Sequence, residues 1–169
     1  MLKNVDQLLK DVPVPKMFIA KQKFARPYIS PEDIPHVVKK QIDKNGMGEQ
    51  IKPGMSIAIT AGSRGNSNIA IITKSIVDYV KEKGASPFIV PAMGSHGGAN
   101  AEGQKELLAS FGITAESMGC PLKASMEVVQ LGISDRGKTV YLDKYASEAD
   151  GIIVSCRVKP HNSYRYKYE

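Results

Sequence analysis

Twice in this chain an apolar run of strand length passes into a glycine-flanked loop with one basic side chain, and then into an amphipathic stretch. The first copy runs Ser56-Ile57-Ala58-Ile59-Thr60 into Ala61-Gly62-Ser63-Arg64-Gly65-Asn66. The second runs Pro87-Phe88-Ile89-Val90-Pro91 into Ala92-Met93-Gly94-Ser95-His96-Gly97-Gly98. Strand–loop–helix units of this kind build parallel sheets, because a parallel neighbour needs a crossover long enough to hold a helix. Both loops then emerge at the carboxyl ends of the strands, the edge at which open α/β sheets bind ligands. Arg64 and His96 are therefore expected at one edge of one sheet, on backbone that glycine keeps bare.

The rest of the chain fits around that unit. Leu2, Val5, Leu8, Leu9 and Val12 have helical spacing and predict a short amphipathic helix over residues 3–12, stopped by Pro13 and Pro15. Lys16 to Phe24 reads as an extended segment. Ser30-Pro31-Glu32-Asp33 is a helix start, with serine as cap, proline in the first turn and acids near the positive end of the dipole. Ile34, Val37, Val38 and Ile42 continue it on one face, and Asn45-Gly46 ends it. Pro53-Gly54 turns the chain into a strand at 55–60. Asn66 is the expected cap of a helix through Ile69, Ile72, Ile76, Val77 and Val80, with Gly84 as its stop. After the strand at 87–91, Asn100 caps a helix through Leu107, Leu108 and Phe111, closed by Gly112, and Thr114 caps a further short turn up to Gly119.

Residues 126–131 and 138–142 predict two short strands joined by Ser134-Asp135-Arg136-Gly137, which has turn chemistry. Ala149 to Ser155 predicts a third apolar strand running into Cys156-Arg157-Val158-Lys159-Pro160-His161. The expected fold is α/β, with a mainly parallel sheet flanked by helices in a single lobe spanning 1–169. No helix-forming segment follows the third strand to cover it, so the chain reads as an unfinished domain.

A chain of 169 residues, 42% hydrophobic and 24% charged, can build a soluble core. Its apolar stretches are strand-sized, well short of the roughly 20 residues a membrane span needs, and its start has no apolar signal core. The expected compartment is the cytoplasm. Cys120 and Cys156 lack metal-ligand spacing and read as reduced thiols rather than a disulfide or zinc site. The net charge of +6 favours an anionic partner, with lysines dispersed rather than clustered.

Three positions carry candidate chemistry. Arg64 sits where a βα loop meets a helix start, where backbone N–H groups and the dipole favour an anion and a guanidinium adds a two-pronged donor. The alternative is a surface arginine in a tight turn. The spacing is neither a Walker loop nor a dinucleotide fingerprint. His96, between Ser95 and Gly97-Gly98, can take or give a proton near neutral pH; the alternative is a histidine that braces its loop, with Glu102 and Gln104 as residues that could orient it. His161 follows Arg157 and Lys159 in a cationic loop stiffened by Pro160; the alternative is an exposed basic tail. His36 lies away from these loops and is assigned no role. Two proton-transfer groups across an anionic ligand would suit chemistry at an α-carbon bearing a hydroxyl.

These residues resemble a known family. Gly62-Ser63-Arg64-Gly65, the run Pro87 to Gly98 continued by Ala101-Glu102-Gly103-Gln104, Ser125 to Val129, and Arg157-Val158-Lys159-Pro160-His161 are similar to the nickel-dependent lactate racemases, most closely to their lactate-racemase-like branch. The resemblance implies the amino-terminal lobe of a two-lobe racemase or epimerase of 2-hydroxy acids. It implies a nickel pincer nucleotide that takes and returns a hydride at the substrate α-carbon, and two histidines that alternate as base and acid. His96 and His161 match those catalytic histidines. Gly62, Ser63, Arg64 and Gly65 match the cofactor-binding motif, and Arg64 also matches the substrate-binding arginine. None of the matched residues is a metal ligand. The family's tethering lysine and a nickel-binding histidine lie downstream of the segment matching His161, and Tyr166 stands where a glycine is expected. The resemblance therefore implies a chain that needs a missing carboxy-terminal lobe and is inactive alone.

Two other readings stand beside it. One is a non-catalytic module that binds a small anion or phosphate through its glycine loops. The other is nucleic-acid binding through Tyr164-Arg165-Tyr166-Lys167-Tyr168, where alternating aromatics and cations could stack on bases. The second ranks last, because that tail is short and the other charges are scattered.

Overall fold

The computed structural model of the chain describes residues 9–13, 15–25, 27–44 and 46–158. Most of the helix expected over 3–12 lies outside these residues; its end is a turn in which the Val12 N–H donates to the Leu9 carbonyl (3.0 Å). Residues 16–24 contain neither helix nor strand, and Met17, Phe18 and Ile19 are exposed.

The elements that follow are helix α1 (Ile34–Lys44), α2 (Met47–Gln50), strand β1 (Ser56–Ala61), α3 (Ile69–Glu82), β2 (Ser86–Pro91), a 3-10 turn (Gly97–Ala99), α4 (Ala101–Ser110), α5 (Ala115–Met118), β3 (Val128–Ile133), β4 (Thr139–Asp143), α6 (Lys144–Ser147) and β5 (Gly151–Ile153). The sheet has the order β2-β1-β5, and both pairings are parallel. The fold is α/β, as the alternation of strand and helix patterns predicts.

β1 is the central strand, and its alternation sorts the core into two faces. Ile57 and Ile59 point to the side where Ile76, Val77 and Val80 of α3, Leu108 of α4 and Ile113 pack with Ile89. Ala58 points to the other side, with Phe88, Val90 and Ala146. Ile59 is fully buried, and burial of such a side chain stabilises by about 1.5–3 kcal/mol. On the second face the Lys123 ammonium lies 4.2 Å from the Phe88 ring centroid. Residues around Leu122 line the outer edge of β2: the Ile89 N–H donates to the Pro121 carbonyl (2.9 Å), and the Lys123 N–H to the Ile89 carbonyl (2.8 Å). That extension is not visible in the sequence pattern.

Most of the punctuation acts as expected. Ser30 Oγ accepts from the Asp33 N–H (3.3 Å) ahead of α1. Asn100 Oδ1 accepts from the Gly103 N–H (2.8 Å), and Thr114 and Ser117 form a reciprocal cap. β3 and β4 form the expected antiparallel pair, with a bulge at Gln130/Gly132, apart from the main sheet.

Two expectations are corrected. Asn66 does not cap α3 through its side chain. The residue before the helix is Asn68, in left-handed backbone (φ 61°), and the Ile69 N–H is taken by the Asn66 main-chain carbonyl (3.1 Å). The third strand is also shorter than Ala149 to Ser155. It ends at Ile153, because the Thr60 hydroxyl then takes over from the β1 backbone: it accepts from the Ser155 N–H (2.9 Å) and donates to the Ser155 carbonyl (3.3 Å).

Candidate functional site

Three parallel strands deliver three chain segments to one edge. The first two leave side by side, because the Ala92 N–H donates to the Ala61 carbonyl (2.8 Å) and carries the β1–β2 pairing past the strand ends. The third is held beside the first by the Thr60 hydroxyl at Ser155, so that Cys156 and Arg157 come over the Gly62 loop. A cavity of about 270 Å³ lies there. Gly62, Ser63, Arg64 and Asn66 line one side of it, and Ser155, Cys156 and Arg157 another. Ile69 and Ile72 of α3, with Ala92, supply apolar wall.

The electrostatics of this cavity are one-sided. Arg64 and Arg157 are both exposed, and no ion pair or hydrogen bond among the described residues engages either guanidinium. No carboxylate is among the described lining residues. Gly62 presents open backbone, since a Cβ there would meet nothing within 4 Å. One acceptor is stranded: the Asn66 side-chain oxygen Oδ1 is out of solvent and has no hydrogen-bond partner among the described residues.

The candidate residues do not all converge. Gly62, Ser63 and Arg64 line the cavity, whereas Gly65 turns away to the Phe111 ring, where a Cβ would come within 3.2 Å. His96 lies at the same sheet edge, on the loop after β2, but its exposed side chain is not part of the cavity wall. His161, with Lys159 and Pro160, lies outside the described residues.

The His96 loop is nonetheless tightly determined. Gly94, Gly97 and Gly98 all have positive φ. Gln104, buried in the first turns of α4, donates through Nε2 to the carbonyls of Gly94 (2.9 Å) and His96 (3.5 Å). Gln104 therefore fixes the main chain that carries His96 rather than bonding its imidazole. Glu102 pairs with Lys105 (3.0 Å). Among the described residues no group of three His, Cys, Asp or Glu side chains could hold a metal ion. Cys120 is buried, and burial pushes its thiol above the ordinary range; Cys156 is exposed. No helix among the described residues is long and apolar enough to cross a membrane.

Sequence reasoning missed three contributors. Thr60 reads as an ordinary β-branched strand residue, and only strand pairing reveals its hydroxyl as the clamp on Ser155. Asn66 has the sequence context of a cap, and nothing in the pattern shows that its oxygen is left over. Arg157 is part of the quoted motif, but only the fold brings it against the Gly62 loop.

A parallel sheet with an anion-suited cavity at the carboxyl ends of its strands defines an α/β ligand-binding lobe. The family model described as the lactate racemase N-terminal domain matches residues 10–167, nearly the full length, and the chain belongs to that family. No match is found among curated proteins or among solved structures.

Proposed function

We propose that this lobe binds the anionic end of a 2-hydroxy acid within a nickel-pincer-dependent racemase or epimerase. The observation that carries the reading is the cavity where Arg64 and Arg157 meet over the bare Gly62 backbone with no described carboxylate to neutralise them. Guanidinium groups suit carboxylate and phosphate because their donors form a rigid fork. The residues present fit the phosphate end of the family's nucleotide as well as a carboxylate: Gly62 leaves room, and Ser63 and Arg64 supply donors. When bound, that cofactor supplies reversible hydride transfer at the substrate α-carbon. Arg64 and Arg157 hold the carboxylate. His96 removes or returns the hydroxyl proton from one side, and His161 is proposed as its counterpart. The second lobe closes the site against water.

The parallel pairing of β5 with β1 supports this assignment, because it sends the segment leading to His161 to the same edge as His96. The competing reading is a non-catalytic anion-binding module. It draws on the absence of His96 from the cavity wall.

Two measurements separate these. Titration with D- and L-lactate and with phosphate at fixed ionic strength should show binding, and Arg64→Ala should weaken it by about 1.5–3 kcal/mol, the scale of a charge-assisted hydrogen bond. Equal affinities in the wild type and Arg64→Ala would remove the anion site. Exchange of the substrate α-hydrogen or interconversion of enantiomers, assayed with the second lobe and cofactor supplied, should be lost in His96→Gln with binding retained. Unchanged turnover in that variant would leave only the binding module.

A further inference from the structure

We propose that Asn66 selects a ligand with a hydrogen-bond donor beyond its reacting hydroxyl, so that the acid taken here is polyhydroxylated, of the 2,3-dihydroxy class, rather than lactate-like. The inference rests on the anion-site reading above and narrows its substrate class. Three observations carry it.

The first is the position of the acceptor. Asn66 lines the cavity, and its Oδ1 is out of solvent with no donor among the described residues. The second is why the protein supplies none. An asparagine in this place would ordinarily cap the helix through the amide three residues on. That amide, on Ile69, is already taken by the main-chain carbonyl of Asn66 itself (3.1 Å). The Ile72 N–H goes to the Asn68 carbonyl (3.0 Å). The side-chain oxygen is thus left over beside two guanidinium groups.

The third is a proton count. A carboxylate brings no donor at neutral pH. The reacting 2-hydroxyl brings one proton, and in the proposed reaction a histidine receives it. A simple 2-hydroxy acid therefore has nothing left for Asn66 Oδ1, and a buried acceptor without a donor is costly. A hydroxyl on the next carbon supplies the missing donor. A cavity of about 270 Å³ suits a short acid of this kind.

The test is calorimetric titration of the whole chain with glycerate, lactate and propionate, each chiral acid as both enantiomers, at one ionic strength. All three carry the same charge and three carbons, and they differ only in hydroxyls. Glycerate should bind about tenfold more tightly than lactate. In Asn66→Leu the two should fall within about twofold, and in Arg64→Ala all three should weaken together. Equal binding of glycerate and lactate by the wild type overturns the inference and leaves the anion site standing. So does a preference that survives in Asn66→Leu. Lactate preferred over propionate with no further gain for glycerate would assign Asn66 to the reacting hydroxyl, and also overturns it. Failure of all three acids to bind removes the anion-site reading itself. Should Asn66→Leu not fold, the wild-type comparison still decides.

Discussion

Gly97 and Gly103 meet backbone to backbone, and the loop that carries His96 rests on this contact. A Cβ on Gly97 would lie 2.7 Å from the Gln104 nitrogen and from the Gly103 carbonyl, and a Cβ on Gly103 would collide with the Gly97 carbonyl oxygen. The first turn of α4 is thereby pressed against the loop, close enough for Gln104 to reach the carbonyls of Gly94 and His96. The glycines at this position make room for protein. At Gly62 they leave room for something else.

That difference predicts opposite outcomes for two glycine-to-alanine changes. Gly103→Ala must push the His96 loop away from α4 and should destabilise the fold by about 1–3 kcal/mol, as overpacking does. Denaturant unfolding measures the loss, and a changed His96 imidazole NMR signal reports the moved loop. Gly62→Ala meets no protein atom within 4 Å and should leave stability within about 0.5 kcal/mol. Its effect should fall on anion binding, where the added methyl group occupies space the ligand uses. A stable Gly62→Ala protein with wild-type affinity for phosphate and lactate would mean that the Gly62 backbone is not part of the cradle.

Thr60→Val tests the clamp on the third strand. Valine keeps the β-branched shape and removes the hydroxyl that both accepts from and donates to Ser155. A buried Ser155 amide left without its acceptor should cost about 1–2 kcal/mol. The sharper readout is functional: Arg157 loses its anchor, so anion affinity should fall further than the stability change explains. Arg157→Ala should match Thr60→Val in affinity while leaving stability near wild type.

Tyr79 makes stability sensitive to alkali. Burial first, and then the hydrogen bond its hydroxyl donates to Asp43, push its pKa up to about 12 from an ordinary 10. The folded state therefore holds the proton more tightly than the unfolded chain. The contribution is full below pH 10 and is lost as pH rises towards 12. Tyr79→Phe should cost about 1 kcal/mol at neutral pH and flatten this alkaline limb. A wild type and Tyr79→Phe with parallel stability profiles between pH 9 and 12 would contradict the assignment.

Asp150 has the opposite sign. Its carboxylate accepts from the Ser56 N–H (2.7 Å) and from the Ser56 hydroxyl (2.9 Å), which holds its pKa below the ordinary aspartate value. The stabilisation is present above the ordinary aspartate pKa and is lost as pH falls through the lower folded value. This bond ties the start of β5 to the start of β1. Asp150→Asn should thus be less stable than wild type at neutral pH, with the gap closing in acid. Thermal unfolding followed from neutral pH into acid reads it, and a gap that stays constant would place the effect in packing rather than charge.

The order of strands and helices was legible in the sequence because each signal is local. Apolar runs of four to six residues alternate with stretches of helical period, and Ser30, Asn100, Thr114, Gly84, Gly112 and Gly119 sit where caps and stops belong. Parallel pairing followed from the crossovers between strands, and with it the edge at which Arg64 and His96 emerge. The hairpin at β3 and β4 was likewise announced by its turn. What the sequence could not contain is any statement about which unused group meets which. The end of β5 was decided by a threonine hydroxyl 95 residues away, and the extension of the sheet past β2 by backbone around Leu122. The cavity itself exists because Ser155 to Arg157 fold over Gly62 to Asn66, segments that are distant in the chain and share no local pattern. The role of Asn66 changed for the same reason: its main chain satisfied the helix start, so its side-chain oxygen was left to the cavity. Local periodicity determines elements, because backbone hydrogen bonding and amphipathic burial act over a few residues. Surplus donors, acceptors and charges find their partners only when tertiary packing has placed the segments side by side, and here that packing set Arg157 and Asn66 against the Arg64 loop.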